Sequence, residues 1–538
     1  MLFLLATLAL CAAPAEPPDA VVVCPSAFLP ALEPWIEHRR AQGHRLAFVS
    51  NELSDAEIRM RLRHAARAGA LKYVLLVGDA VPTAGADSDW RARSTPVHRV
   101  EAKVVAGWGS EPEIAADNWY ADLDDDLVPD VAIGRLPADS PAELAHLVRR
   151  ILEYEHSRDA GMWRRRINLV AGIGGFGSLV DTVVEMATKR FLTDGIPASY
   201  ATTMTYASWQ SPFCPDPRRF RAVAIERFNE GCLFWVYLGH GSARRLDDVR
   251  VPGAVAPILN ARDAAALRCR RGAPIALLLS CYAGAFDQPD DCLAEQMLRA
   301  PGGPVAVICG SRVTMPYGMA VLSDALMCEL FQHHRPTLGE VFLYAKRQMA
   351  TESDGELGST RQMLDALGAA FSPTGDRLRD ERIEHLALFN LLGDPLLRLR
   401  YPDAVDLEVE PTVVAGRRLE VAGSCTADGS GVVELVCRRD RMRRALPERH
   451  RFVPTDAFLR SLHQTYREAN DRVWVRQPVD CRGGRFQVAL AIPTEARGPC
   501  YVRVFLAGRD NAAMGASPVF VRPLRAASIA SGEGRVAR

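Results

Sequence analysis

Two short segments carry side chains capable of covalent chemistry. Phe234-Trp235-Val236-Tyr237-Leu238 runs into Gly239-His240-Gly241-Ser242, and Ile275-Ala276-Leu277-Leu278-Leu279-Ser280 runs into Cys281-Tyr282-Ala283-Gly284. Each is an apolar run of strand length that closes on a small-residue turn. An imidazole assists loss of a thiol proton, the thiolate attacks a carbonyl carbon, and the imidazolium then protonates the leaving amine. His240 and Cys281 are therefore the candidate base and nucleophile of an acyl-transfer dyad. Singly, each has a plainer reading: a cysteine behind an apolar strand is commonly core, and a histidine between glycines is commonly a turn. The pairing of two strand ends favours chemistry. The glycines beside His240 allow a sharp turn and the close approach of a substrate chain.

Such a dyad needs neighbouring parallel strands, because the loops beyond strand C-termini form the ligand crevice of an open α/β sheet. The chain supplies them. Apolar runs at Ala20–Cys24, Arg45–Val49, Tyr73–Val77, Val131–Ile133, Ile167–Ala171, Leu233–Leu238, Ile275–Ser280 and Pro304–Cys309 predict strands. Helical periodicity separates them at Ser54–Ala68, Pro141–Glu155, Leu179–Thr193, Pro217–Phe228 and Met319–Phe331. Strands apolar on both faces imply sheets covered on both sides, so the expected class is α/β with mostly parallel sheets flanked by helices. Beyond Tyr401-Pro402-Asp403 the helical pattern fades. Short runs at Asp406–Val409, Arg418–Val421, Gly431–Cys437, Arg485–Ala491, Cys500–Phe505 and Pro518–Val521, with turns at Asp428-Gly429 and Gly483-Gly484, predict an antiparallel sandwich. An arginine-rich insert from Arg438 to Arg472 interrupts it, with a helix expected over Asp456–Arg467.

Composition narrows the function classes. The 538 residues carry 65 basic and 65 acidic side chains, with 48% hydrophobic and 24% charged residues. That is globular composition, and the balanced charge argues against a general nucleic-acid binder, which needs a cationic field. The opening run MLFLLATLALCAA is too short to span a bilayer, so no transmembrane segment is expected. It reads as a secretory signal peptide with a small-residue cleavage site at Ala13-Pro14-Ala15, although the usual basic start is missing. Cys11 resembles a lipoprotein box, but Leu10 stands where that box takes a small residue. The 13 cysteines show no zinc-finger spacing, and Cys232, Cys309 and Cys328 read as core. The domains expected are a signal peptide over 1–15, α/β subdomains over 18–135 and 136–400, a sandwich over 404–523 and a loose tail over 524–538.

The motifs also carry a resemblance. YLGHGS with LLLSCYAGAF is similar to the gingipain family of cysteine peptidases, which shares its sheet architecture with caspases. The similarity extends to Val74–Asp79, to DNWYADLDDDLVPDVAIGRLP (Asp117 to Pro137), to GGPVAVICGS (Gly302 to Ser311) and to LFNLLGDPLLRL (Leu388 to Leu399). It covers residues 18–400, and gingipains continue into an immunoglobulin-like β-sandwich, as expected here for 404–523. The resemblance implies a caspase-like fold, His240 as catalytic histidine and Cys281 as nucleophile. The N–H groups of Gly241 and Cys281 adjoin both reactive groups and are the expected oxyanion donors. Tyr317, in SRVTMPYG, falls where arginine-specific members place an aromatic wall of the substrate pocket.

The departures matter equally. Where arginine-specific members carry an acid supporting the histidine, this chain has Ile173 and Gly174; Asp181 lies near the position of their pocket acid. Another orienting acid is then needed, with Asp247 or Asp248 as candidates, and a solvated loop charge as the alternative for either. Gly172-Ile173-Gly174-Gly175-Phe176-Gly177 fits the GxGxxG dinucleotide pattern, but the acid expected at the end of the next strand is missing, since Asp194 precedes that strand. Asp122, Asp124 and Asp126, with Asp130 beyond, place carboxylates at a density that suits Ca²⁺, and the resemblance implies calcium too; a solvated acidic turn is the alternative.

The expected function is a secreted or cell-surface cysteine endopeptidase acting on proteins or peptides through a thioester acyl-enzyme. No cofactor for catalysis and no nucleic-acid partner are expected, with structural Ca²⁺ as an addition. Two alternatives stand beside it: a transpeptidase-type processing enzyme of secreted proteins, and a catalytically weak surface or secretion protein that uses the sandwich for contact.

Overall fold

The computed structural model describes residues 16–80, 88–173, 195–352, 359–426, 428–509 and 511–524. The expected signal peptide, the helix over Leu179–Thr193, Asp181, the end of the GxGxxG segment and most of the tail lie outside these residues.

The apolar runs assemble into one ten-stranded sheet. Its order is Leu46–Ser50, Ala20–Cys24, Tyr73–Val77, Ala132–Leu136, Phe389–Leu392, Ala306–Gly310, Ile275–Leu279, Phe234–Leu238, Arg166–Ala171 and Ala201–Tyr206. Neighbours run parallel except at one seam, where Phe389–Leu392 lies antiparallel to Ala306–Gly310. That strand is parallel to Ala132–Leu136 on its other side. The sheet therefore consists of two parallel halves pointing in opposite directions, and the residues expected as two α/β subdomains meet in it. The strands Tyr73–Val77, Ile275–Leu279 and Ala306–Gly310 are buried throughout, as continuous apolar runs require of a sheet with helices on both faces. Each fully buried Val, Leu or Ile contributes roughly 1.5–3 kcal/mol against exposure.

The surrounding helices start where their sequences say they should. Ser54 and Glu57 form a capping box before Asp55–Ala66, and Ser140 accepts from the Glu143 N–H with Pro141 in the first turn of Pro141–His156. Thr337 caps Leu338–Ala350 in the same way.

Residues beyond 400 form two further sheets around a separate core that includes Val433, Leu435, Leu490, Val502 and Val504. A six-stranded sheet contains Gly429–Cys437, Val473–Cys481, Gly498–Gly508 and Ala512–Arg522. A three-stranded sheet contains Asp406–Val409, Arg418–Ser424 and Arg485–Ala491. Val473–Cys481 is absent from the strands expected from the sequence, because its charged, proline-containing run Val475-Arg476-Gln477-Pro478 hides the alternation.

The arginine-rich insert is a docking segment. Arg439 donates to the carbonyls of Ile196, Pro197 and Tyr200, and Arg449 to those of Trp209, Ser211, Cys214 and Leu462. The helix Asp456–Asn470 ends on the edge strand Ala201–Tyr206, where the Asn470 amide accepts from the Met204 N–H at 2.8 Å and donates to the Met204 carbonyl at 3.0 Å. Those are the bonds that a further strand would make, so the side chain takes a strand's place at Met204. Beneath it, the buried Glu434 carboxylate binds Arg165 of the α/β unit and Arg476 and Arg503 of the sandwich.

Candidate active site

The histidine strand Phe234–Leu238 and the cysteine strand Ile275–Leu279 are parallel neighbours in register, with Leu238 opposite Leu279. His240 and Cys281 thus leave the sheet at the same edge from adjacent strands. The two loops also touch. A Cβ placed on Gly241 would sit 2.8 Å from the Cys281 carbonyl oxygen and 2.8 Å from Ser280 Oγ, closer than real Cβ contacts come. Only glycine fits there. The packing holds the Gly241 backbone against the Cys281 carbonyl.

The histidine loop is fastened through its backbone. The His240 carbonyl accepts from the Tyr237 hydroxyl at 2.7 Å and from the Asp247 N–H at 3.1 Å, and the Tyr237 oxygen also accepts from that N–H at 3.2 Å. Burial drives the Tyr237 phenol far above its ordinary pKa, so it stays a donor at any working pH. Asp247 and Asp248 part company. The Asp247 carboxylate is 7% exposed and lies against the end of the strand Arg166–Ala171, where a Cβ on Gly172 would meet its Oδ2 at 3.1 Å and the Tyr237 hydroxyl at 2.9 Å. Asp248 turns outward to Arg245. Of the two candidate acids, Asp247 alone is built into the floor of the histidine loop.

Around Cys281 the structure adds residues that sequence reading missed. Half-buried Cys281 Sγ accepts from the Thr314 backbone N–H at 3.3 Å, with Thr314 Oγ1 at 3.6 Å. Thr314 follows the strand Ala306–Gly310, and the next residue is pinned as well: the Met315 N–H donates to His385 Nε2 at 2.9 Å, while His385 Nδ1 donates to the Glu381 carbonyl. Tyr282, directly after Cys281, has φ +57°, a left-handed conformation that costs a non-glycine residue about 1 kcal/mol. Its N–H is held by the Arg312 carbonyl at 3.1 Å and its hydroxyl donates to Glu111 at 2.8 Å. Arg312 is itself locked by a buried two-point ion pair with Asp287, at 2.8 and 2.6 Å. The strained Tyr282, secured from several sides, fixes the loop that carries Cys281.

The family model of peptidase family C25 matches residues 13–400. The chain belongs to peptidase family C25. Among curated proteins, Lys-gingipain of Porphyromonas gingivalis is 22% identical over 298 residues, 53% of this chain and 15% of that protein. Lys-gingipain 381 of Porphyromonas gingivalis matches to the same extent, again over 15% of its length, so the chain spans a small part of these relatives. Among solved structures, the Arg specific cysteine proteinase gingipain R covers 95% of this chain and 100% of its own, with a TM-score of 0.52 at 16% identity. The complex of Porphyromonas gingivalis RgpB pro- and mature domains covers 94% and 100%, with the same TM-score and identity. These structural matches establish the α/β architecture that the apolar runs predict, and the family model bears out the gingipain resemblance.

In this C25 chain the remaining candidates are placed as follows. Tyr317 is buried in the first turn of the helix Pro316–Phe331, where its hydroxyl donates to Asp365 at 2.6 Å and accepts from Arg382 at 2.8 Å. That hydroxyl braces neighbouring helices. Asp122, Asp124 and Asp130 bring carboxylate oxygens within 4.8 Å of one another, in a separate loop. Asp126 stands apart from that group and accepts from the Val128 N–H. Asp122 also accepts from the Asp125 and Leu127 N–H groups and pairs with Arg59 at 3.2 Å. Cys232 and Cys309 are fully buried, and burial pushes both thiols far up; part-buried Cys328 is raised as well. None of the three offers an accessible thiolate.

Proposed function

We propose that this C25 chain is a cysteine endopeptidase in which Cys281 and His240 act as a dyad. The observation that carries the reading is the contact of the two loops, Gly241 against Cys281, at the C-terminal edge of adjacent parallel strands. Cys281 Sγ attacks the scissile carbonyl carbon as its proton passes to His240. The Gly241 and Cys281 N–H groups receive the charge that develops on the carbonyl oxygen. His240 then protonates the leaving amine, and the C–N bond breaks to give a thioester. Water, activated by the same imidazole, releases the acid and restores the thiol. The Thr314 N–H holds the Cys281 sulfur in place at 3.3 Å.

The substrates proposed are proteins or peptides. The matched relatives are named for lysine and arginine specificity; this chain has Ile173 and Gly174 where the resemblance leads one to look for an acid, and the Asp247 carboxylate lies against Gly172. Secretion to the cell surface or medium follows from the opening apolar run, and the sandwich is the proposed contact with surface or secretion machinery. We propose further that Ca²⁺ binds at Asp122, Asp124 and Asp130, whose hard oxygen donors suit it. Among the described residues no helix is long and apolar enough to cross a membrane.

The decisive experiment is peptide cleavage by wild type, Cys281→Ala and His240→Ala. Loss of at least about 10³-fold in turnover is expected for each, with the fold retained. Near wild-type cleavage by folded Cys281→Ala defeats the Cys281 dyad, and no cleavage by the folded wild type leaves a binding protein. Products joined to an added amine, in place of free acids, establish the transpeptidase. Melting curves with Ca²⁺ and with a chelator test the metal, and identical curves reduce the loop to an acidic turn.

A further inference from the structure

The sandwich brings two thiols together from its two sheets. Cys425 is the first residue after the strand Arg418–Ser424 of the three-stranded sheet, and Cys481 is the last residue of Val473–Cys481 in the six-stranded sheet. Their sulfurs lie 3.5 Å apart. The backbone on both sides holds them there. The Cys425 N–H donates to the Gly484 carbonyl at 2.9 Å, the Gly484 N–H donates to the Asp428 carboxylate at 2.9 Å, and Cys481 pairs with Gly429 across the sheet. Gly484, at φ +72°, turns the chain sharply enough to make the first of these contacts. From 3.5 Å the sulfurs have about 1.5 Å to close to the bonding distance of about 2.05 Å.

We propose that Cys425 and Cys481 are a modification site, a dithiol that closes to an intersheet disulfide in the presence of a disulfide oxidant such as oxidised glutathione. The half-buried Cys425 thiolate attacks one glutathione sulfur, breaking the glutathione S–S bond and releasing one glutathione thiolate. Cys481 loses its proton and attacks Cys425 Sγ, expelling the second glutathione. Two electrons leave the protein and reduce one glutathione disulfide to two thiols. Burial and the neighbouring Cys425 hold the Cys481 thiol up at about 11, which makes it the later partner.

The bond has a structural consequence beyond the sandwich. The chain between Cys425 and Cys481 contains the docking segment, with Arg439 and Arg449 on the carbonyls of the α/β unit and Asn470 on its edge strand. Closing this long loop covalently removes conformations from the unfolded chain and so stabilises the folded one.

The test uses the full chain carrying Cys281→Ala, so that the nucleophile does not react. The protein is equilibrated with oxidised glutathione, blocked with N-ethylmaleimide and digested without reductant for mass spectrometry. The expected product is a cross-linked pair of peptides containing Cys425 and Cys481, lighter by two hydrogens than their sum. Reduction should lower the Tm by at least about 3 °C, and a Cys425→Ser variant should show no such response. Recovery of both cysteines as maleimide adducts overturns the proposal. So does a Cys425–glutathione mixed disulfide that never closes, or a bond from Cys425 to any other cysteine.

Discussion

The backbone N–H of Thr314 points at the sulfur of Cys281 from 3.3 Å, and it belongs to a different strand end from the one that carries the thiol. A hydrogen bond contributes about 0.5–1.5 kcal/mol, so this donor fixes the sulfur from outside its own loop. Thr314→Pro deletes the N–H and Thr314→Ala keeps it. The proline variant should show alkylation of Cys281 slowed by up to about tenfold, while the alanine variant stays near wild type. Equal rates for the two would show that the N–H does not hold the sulfur.

Gly241 is the residue on which the meeting of the two loops depends. Gly241→Ala places a methyl group 2.8 Å from the Cys281 carbonyl oxygen, and backbone must move to accept it. A displacement on the order of 1 Å between reacting groups costs about 10²-fold. The expected outcome is a fall of that size in kcat/KM on a peptide substrate, with Cys281 still open to alkylation. Unchanged kcat/KM would remove Gly241 from the site.

The contact between the α/β unit and the sandwich turns on Glu434, whose carboxyl is lowered from 4.5 to about 2: burial alone would raise it, and Arg503 and Arg165 more than offset that. Its folded pKa lies below its unfolded one. The stability it supplies, about 3 kcal/mol, is therefore complete above pH 4.5 and is lost as pH falls from there toward 2. Glu434→Gln should melt lower than wild type at pH 7, and the gap should narrow at pH 3. Glu434→Ala, which leaves three guanidinium groups without their counter-ion, should cost about 3–5 kcal/mol. A gap that stays constant with pH would show that charge is not what Glu434 contributes.

Asn470 takes a strand's place at the edge of the ten-stranded sheet with two hydrogen bonds to Met204. Asn470→Ala should cost about 1–2 kcal/mol and accelerate hydrogen exchange at the Met204 amide selectively. Exchange unchanged at Met204 would mean that the edge is protected by other contacts.

Legibility followed the range of the interaction. Strands such as Tyr73–Val77 and Ile275–Leu279 could be read because burial on both faces imposes an apolar side chain at nearly every position. Asp406–Val409 and Arg485–Ala491 were legible from their turns and alternation. The edge strand Ala201–Tyr206 was not, because its Thr202-Thr203 pair is only half-buried and its outer edge meets a helix from another part of the chain. Phe389–Leu392 was read only as part of a motif, since nothing local tells a strand that it will sit at an antiparallel seam.

By itself the sequence determined that an imidazole and a thiol stand at the ends of apolar strands, and that glycines surround the histidine, because these are properties of consecutive residues. Only the tertiary structure decided that the strands are adjacent, that Thr314 reaches the sulfur, that Asp247 rather than Asp248 is buried behind the histidine loop, and that Cys425 meets Cys481. Each of these depends on side chains and backbone converging from distant strand ends, and such convergence is set by sheet order and packing, which leave no periodic trace along the chain.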